Sequence, residues 1–356
     1  MFKVGFAGTA KNTGKTTALM YFLQQAFAGC QRVGLSGIGY DGEDLDHLTG
    51  LPKPRVFCPR GTIIATAQRC LARGTASCRL LEVLPVSNAL GPICLAEVVN
   101  PGLAVIAGPN KRGDLRRTLK AFARGGCELV FVDGAFGRMS PFVEVDGLIL
   151  ATGAARNRAL DCLVRETRAL DRIFTLPAAV LKGAVEGENT IVIWGQGGGT
   201  IRFRETSLLS PELVQEVARA AASAEVISLP GAVPGRLLGK FSRELGEDLA
   251  GKTLIVSDPT KLLVLGEYVE AVAALDQIAA FGGRVMVRER IPLLAVTINP
   301  FYPREVNNTF CKDFIDGNLL KQALAAVTRV PVINVREGGP AYYLDTARRE
   351  VVTIDN

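Results

Sequence analysis

The chain has 356 residues, 21% of them charged and 48% hydrophobic, and a formal net charge of +6. That length exceeds the usual single-domain range of about 100–200 residues and predicts two domains, while a mean hydropathy of +0.23 excludes a disordered or highly charged chain. The positive excess is spread along the sequence, and the aromatic residues, 6% of the total, do not interleave with the basic ones, so nucleic acid is not an expected partner.

The chain starts directly in a strand-like run, residues 3–9, with no basic segment leading into an apolar one, so no secretory leader is expected. No apolar stretch approaches the ~20 residues of a membrane span, and a cytoplasmic location is the expectation. Next come "GTAKNTGKTT" at 8–17 and a helical segment from Thr16 to Phe27, with Leu19, Met20, Phe22 and Leu23 available for packing. "RVGLSGIG" (32–39) reads as a second strand ending in the acidic turn Tyr40, Asp41, Gly42, Glu43, Asp44. "GTIIATAQRCLARG" from Gly61 fits a strand end or turn leading into a helix, and "LAVIAGP" (103–109) is a further apolar strand. A helix from about Asp114 to Arg124 turns Leu115, Leu119 and Phe122 inward at i, i+4 and i+7, with Asn110 or Asp114 near its cap. "CELVFVDGAFGR" from Cys127 and "GLILATGAA" from Gly147 are two more strands.

This alternation predicts a doubly wound, mostly parallel α/β sheet, with ligands at the carboxyl ends of its strands. Around residues 173–199 the texture changes to a Gly-rich turn and the single Trp194. "AEVISLPG", "KTLIVSDP", "LLAVTINP" and "VPVINV" follow, separated by amphipathic segments such as "PELVQEVARAAA" and "EYVEAVAALDQIAAF". The expected division is a nucleotide-binding domain over 1–175 and a second α/β domain, for a partner or ligand, over 176–356. The eight cysteines form no C-x-x-C pair and read as buried thiols in a reducing compartment. His47 is the single histidine and has no partner at ligand spacing.

The loop at 8–17 has the composition of a phosphate cradle. Where a strand turns into a helix, successive backbone N–H groups converge on an anion and the helix dipole adds roughly half a positive charge. Gly14 permits close backbone approach, Lys15 neutralises the outer phosphates, and the Thr16 hydroxyl is placed to ligate Mg²⁺. The second part such a site needs is a carboxylate closing an apolar strand, and Asp133 supplies it. Gly8, Thr9, Ala10, Lys11, Asn12, Thr13, Gly14, Lys15, Thr16 and Thr17 are therefore the expected nucleotide-binding residues, Lys15 and Asp133 the catalytic pair, and Thr16, Asp133 and Asp41 the metal side. Lys11 reads as a second phosphate cation or a solvated charge, and the acidic turn as a metal-side group or an ordinary surface turn. "NKRGD" from Asn110 resembles the guanine-reading N-K-x-D, yet it is one residue too long and precedes the Asp133 strand; ATP with Mg²⁺ is the expected ligand. "SDPTK" (257–261) and "TINPFYP" (297–303) also close apolar strands with polar groups; each reads as a ligand site or as a turn built around proline.

One feature of the loop is unusual: the first glycine, Gly8, stands one place earlier than in G-x-x-x-x-G-K-T, and Thr9 takes its position. This placement resembles the dethiobiotin-synthetase branch of P-loop NTPases, whose loop reads G-T-D-T-x-V-G-K-T and whose V-E-G-A-G-G segment is similar to "VDGAFGRMSP". The resemblance implies that Thr9 to Thr13 wrap the phosphates. The lysine that this enzyme carries after its second strand is missing from "GLSGIGYDGED". A closer resemblance runs through the N-terminal half: "GTAKNTGKTTAL", "YDGEDLDHLTGLPKPRV", "PRGTIIATA", "IAGPNKRGDLRR", "ELVFVDGAFGRMSP" and "LILATGAA" are similar, in order and spacing, to KamB-like reactivase subunits of lysine 5,6-aminomutase, a cobalamin enzyme. It implies an accessory ATPase with a MutS-like ATPase subunit and the mutase as partners. A kinase or ligase acting on a small carboxylic acid is the alternative, and a homodimer is left open.

Overall fold

The computed structural model describes residues 1–29, 31–41, 56–180, 189–195, 197–306, 309–336 and 341–354. The chain divides into two compact units, one made of Met1–Val164 with Pro292–Asn356 and the other of Arg165–Ile291. No helix among the described residues is long and apolar enough to cross a membrane.

The first unit opens with β1 (Phe2–Gly8) and α1 (Lys15–Ala28), followed by β2 (Val33–Gly37), β3 (Tyr40–Asp41), β4 (Val56–Cys58) and β5 (Ile63–Ala67). The hairpin β6 (Ser77–Asn88) and β7 (Gly91–Asn100) comes next, then β8 (Gly102–Ala104), β9 (Ile106–Ala107), α2 (Arg112–Arg124), β10 (Leu129–Ala135) and β11 (Gly147–Gly153). The division between units falls inside α3 (Leu160–Phe174). The second unit carries β12 (Val192–Gly195), β13 (Thr200–Arg202), α4 (Pro211–Ala220), β14 (Ala224–Leu229), α5 (Gly235–Leu245), β15 (Thr253–Val256), α6 (Tyr268–Ala280) and β16 (Arg284–Val287). The chain then returns to the first unit with β17 (Leu293–Asn299), the hairpin β18 (Phe301–Val306) and β19 (Thr309–Phe314), α7 (Gly317–Ala325), β20 (Val332–Ile333), and the hairpin β21 (Ala341–Asp345) and β22 (Glu350–Ile354).

The main sheet has nine strands in the order β20-β17-β11-β1-β10-β2-β5-β7-β6. From β20 to β5 every pairing is parallel; β7 and β6 are then added antiparallel. The central strands read as continuous apolar runs because both of their faces are covered, as parallel sheets require. α1 lies on β1, β2, β10 and β11, burying Leu19, Phe22, Leu23 and Ala26 at i, i+3, i+4 and i+7. Phe6 of β1 meets Phe131 of β10 edge-on at 5.2 Å and Phe22 of α1 at 6.0 Å. α2 buries Leu115, Leu119 and Phe122 as its spacing demands.

The four arginines of α2 pair within the unit: Arg112 and Arg116 both bind Glu144, Arg117 pairs with Asp114, and Arg124 with Glu82. Burial raises the Glu144 carboxyl, but hydrogen bonds and charge from Arg116 and Arg112 outweigh it and hold the group below its ordinary value.

Several expectations are corrected. The second domain was expected to run over 176–356, yet "LLAVTINP" and "VPVINV" contribute β17 and β20 of the main sheet. All seven residues of β17 are buried, so it needs neighbours on both sides, and β11 and β20 provide them. "LAVIAGP" is not a main-sheet strand. It splits into β8 and β9, which pair antiparallel with β4 and β3. The segment after β5 makes only a single 3-10 turn, Gln68–Cys70, before the β6–β7 hairpin. Sequence reading did not separate that hairpin, whose turn is closed by the Leu90 N–H donating to Asn88 Oδ1 at 2.8 Å and by Gly91 at φ 110°. α2 is preceded by Lys111 with no side-chain cap, because a lysine side chain carries no acceptor; Asp114 lies inside the first turn and pairs with Arg117.

In the second unit the order is β13-β12-β14-β15-β16, with β14, β15 and β16 parallel. α4 is capped by Ser210, whose Oγ accepts from the Leu213 N–H at 3.2 Å. Lys252, only 6% exposed, donates to the carbonyls of Ala222 and Ala224 at 2.8 and 2.7 Å, which keeps its buried ammonium solvated by backbone.

Candidate functional site

The loop between β1 and α1 leaves the sheet at Gly8 and enters the helix at Lys15. Thr9 still behaves as strand: its N–H donates to the Ala151 carbonyl at 2.9 Å, and its Oγ1 lies 3.0 Å from the Thr152 hydroxyl of β11. The chain then folds back, with Thr13 Oγ1 donating to the Ala10 carbonyl at 2.9 Å. A Cβ on Gly8 would stand 2.7 Å from that same Thr13 oxygen, so a side chain at position 8 would displace the folded-back turn. This gives the shifted glycine a steric reason.

Handedness alternates through the next three residues. Asn12 has φ 64° and Gly14 φ 88°, while Thr13 between them stays at negative φ. Residues of alternating hand turn successive N–H groups to one side and form an anion-binding concavity. Gly14 precedes the helix in left-handed conformation without a side-chain cap, and the first helical bond runs from the Ala18 N–H to the Gly14 carbonyl at 2.9 Å. The N–H groups of Lys15, Thr16 and Thr17 therefore have no carbonyl four residues back within the helix. No acidic residue occupies the first turn of α1 to offset the positive end of its dipole.

β10 runs parallel to β1 with Asp133 level with Phe6, and the Asp133 Oδ1 lies 2.9 Å from Lys15 Nζ. Both side chains are largely buried, at 10% and 13% exposed, so their attraction is little screened. A third strand end reaches the loop from β17: Asn299 Nδ2 donates to the Asn12 carbonyl at 2.8 Å, and its Cβ lies 3.2 Å from where a Gly14 Cβ would be.

Of the residues read from the sequence, Gly8, Thr9, Ala10, Lys11, Asn12, Thr13, Gly14, Lys15, Thr16 and Thr17 form this one turn, with Thr9 and Thr13 buried and Lys11 exposed. Asp133 joins them. The backbone of Asp41 lies on β3 opposite Ile106 of β9, and its side chain is outside the described residues, as are Glu43, Asp44 and His47. Asn299 was missed as a member of this group. Its signal was legible as a polar end to an apolar strand, but the strand was assigned to the other domain.

"SDPTK" is folded inward on itself. Asp258 is 2% exposed, its Oδ1 accepts from the Thr260 N–H at 2.9 Å and from the Thr260 hydroxyl, and its Oδ2 is 3.3 Å from Lys261 Nζ. Cys58, Cys70, Cys94 and Cys127 are buried thiols, whereas Cys311 is exposed. Burial, aided by Cys78, pushes the Cys58 thiol up to about 12, and burial pushes Cys127 up to about 11 against the opposing charge of Arg32. No group of three or more His, Cys, Asp or Glu that could hold a metal ion occurs among the described residues. Comparison with protein-family models, curated proteins and solved structures finds no match to the chain.

Proposed function

We propose that the turn at 8–17 binds a nucleoside triphosphate, ATP, with Mg²⁺, and that the chain is a P-loop NTPase of the dethiobiotin-synthetase-like branch. The observation that carries this reading is the alternation of hand through Asn12, Thr13 and Gly14 directly before a helix whose first residue, Lys15, faces Asp133 at 2.9 Å. The donor set suits a triphosphate: backbone N–H groups and a helix N-terminus for the phosphate oxygens, an ammonium for their charge, and the Thr16 hydroxyl and Asp133 carboxylate, hard oxygen ligands, for Mg²⁺. Bound Mg²⁺ would neutralise charge developing on the transferred phosphoryl group. Lys15 would then exchange its carboxylate partner for phosphate, leaving Asp133 to the metal side.

The same reading makes the protein an accessory ATPase, a nucleotide-driven switch that serves as reactivase subunit for a cobalamin-dependent aminomutase, with lysine 5,6-aminomutase and a MutS-like ATPase subunit as partners. Support comes from the ordered similarity of the N-terminal motifs to KamB-like proteins, and from the position of the turn, where contacts to an outer phosphate can order or release neighbouring loops.

The test is recovery of turnover by mutase inactivated through damage to its cobalamin. With the MutS-like subunit present, this protein should restore activity in an ATP-dependent manner and its own slow hydrolysis should rise, while a nonhydrolysable analogue should support assembly without repeated rescue. Absence of recovery, together with rapid ATP consumption on a small carboxylic acid, would replace the switch with a kinase or ligase.

A further inference from the structure

Asn299 is the final residue of β17 and 8% exposed, and its polar atoms face three different segments. Its Nδ2 donates to the Asn12 carbonyl at 2.8 Å, its Oδ1 accepts from the Phe301 N–H at 3.3 Å where the β18–β19 hairpin begins, and its own carbonyl accepts from the Ala154 N–H at 3.0 Å just after β11. The contact with Asn12 spans 287 positions of sequence. It falls on a residue with a side chain in left-handed conformation, whose conformational cost is of the same order as the net worth of one buried hydrogen bond.

The Asn12 carbonyl and the Thr13 N–H belong to one planar trans peptide, so they point in opposite directions. Holding the carbonyl toward Asn299 turns the Thr13 N–H to the other side, and rotation of that peptide would exchange the donor for an acceptor that repels phosphate. We propose that Asn299 is a positioning residue for the phosphate cradle, fixing the Asn12–Thr13 peptide with its N–H available to the anion. This inference rests on the nucleotide reading above. It assigns to Asn299 a role in holding the phosphates and none in reading the base.

The experiment uses the full chain and titration calorimetry with two probes, Mg-ATP and Mg-tripolyphosphate, the second having no nucleoside. Asn299→Ala removes both side-chain bonds. Asn299→Asp keeps an acceptor for the Phe301 N–H but has no donor for the Asn12 carbonyl. Asn299→Ala should weaken both probes by the same factor, about tenfold, as loss of one such bond implies, and Asn299→Asp by at least as much. Unfolding midpoints without ligand should fall by only a few degrees, with the fold retained, as loss of two buried hydrogen bonds implies. Weakened Mg-ATP with unchanged Mg-tripolyphosphate would overturn the proposal in favour of a nucleoside contact. Unchanged affinity for both probes, or loss of the fold in both variants, would also overturn it. Lys15→Ala serves as the control: if that variant binds Mg-ATP like wild type, the nucleotide reading itself fails, whereas loss of binding there with intact binding in the Asn299 variants removes only the role of Asn299.

Discussion

Each unit has parallel strands whose carboxyl ends carry polar residues, and the two ends are finished differently. In the second unit, Asp258 gives one carboxylate oxygen to Thr260 and the other to Lys261, so the residues of "SDPTK" satisfy one another and cap a 3-10 turn. In the first unit the turn at 8–17 adopts left-handed backbone at Asn12 and Gly14, starts its helix uncapped, and draws a carboxylate and an amide from two other strands. A polar strand end that closes upon itself is a structural device. One that holds left-handed backbone and an uncapped helix start beside a buried ion pair has to be supported by neighbouring strands, because its own local conformation is costly.

The largest expected effect belongs to the first unit. Lys15→Ala should lower Mg-ATP affinity by about tenfold to a hundredfold, since on the nucleotide reading it removes the principal cation, a charge-assisted contact being worth about 1.5–3 kcal/mol. Calorimetry and thermal unfolding together check this. Affinity should fall with the fold retained, although some stability is lost because the largely buried Asp133 is left without its ammonium, and a Lys15→Ala protein that binds normally would erase the distinction between the two strand ends.

The converse substitution is Asp258→Ala in the second unit. It removes a cap and leaves Lys261 without its carboxylate, and a loss of about 1–2 kcal/mol is expected, as for other helix N-caps. Denaturant unfolding should show the loss while Mg-ATP affinity stays at the wild-type value. A change in nucleotide affinity without loss of stability would show that the second strand end is not merely structural.

The smallest effect is expected at Glu144, which ties the segment after Asp133 to α2 through Arg112 and Arg116. Its folded pKa lies below its ordinary value, so its contribution to stability is complete above the unfolded pKa of about 4.3 and is lost as pH falls through the lower folded value. The arginine side chains are 38% and 52% exposed, so solvent screening keeps the effect below about 1 kcal/mol. Across acid titration from about pH 5 to about pH 3, wild-type stability should fall more steeply than that of Glu144→Gln. Parallel curves would remove the carboxylate from the account.

What the sequence alone determined was local. Apolar runs bounded by turns located β1, β2, β10 and β11. The i, i+4, i+7 spacing of Leu115, Leu119 and Phe122 predicted the buried face of α2, and "GTAKNTGKTT" between a strand and a helix marked the turn that the structure forms. These features rest on side-chain periodicity and on backbone preferences within a few residues, both of which sequence carries directly. The tertiary structure alone decided where the chain returns. An insertion of a complete α/β unit reads the same along the sequence as a second domain following the first, so β17 and β20 could not be assigned to the sheet they complete. Nor could "LAVIAGP" be told from a main-sheet strand, since a short apolar run does not specify its hydrogen-bond partner. The junction of Asn299 with Asn12 depends on the first of these decisions: it exists because β17 pairs with β11 beside β1, and strand pairing is set by the burial of whole sheets, which no local segment encodes.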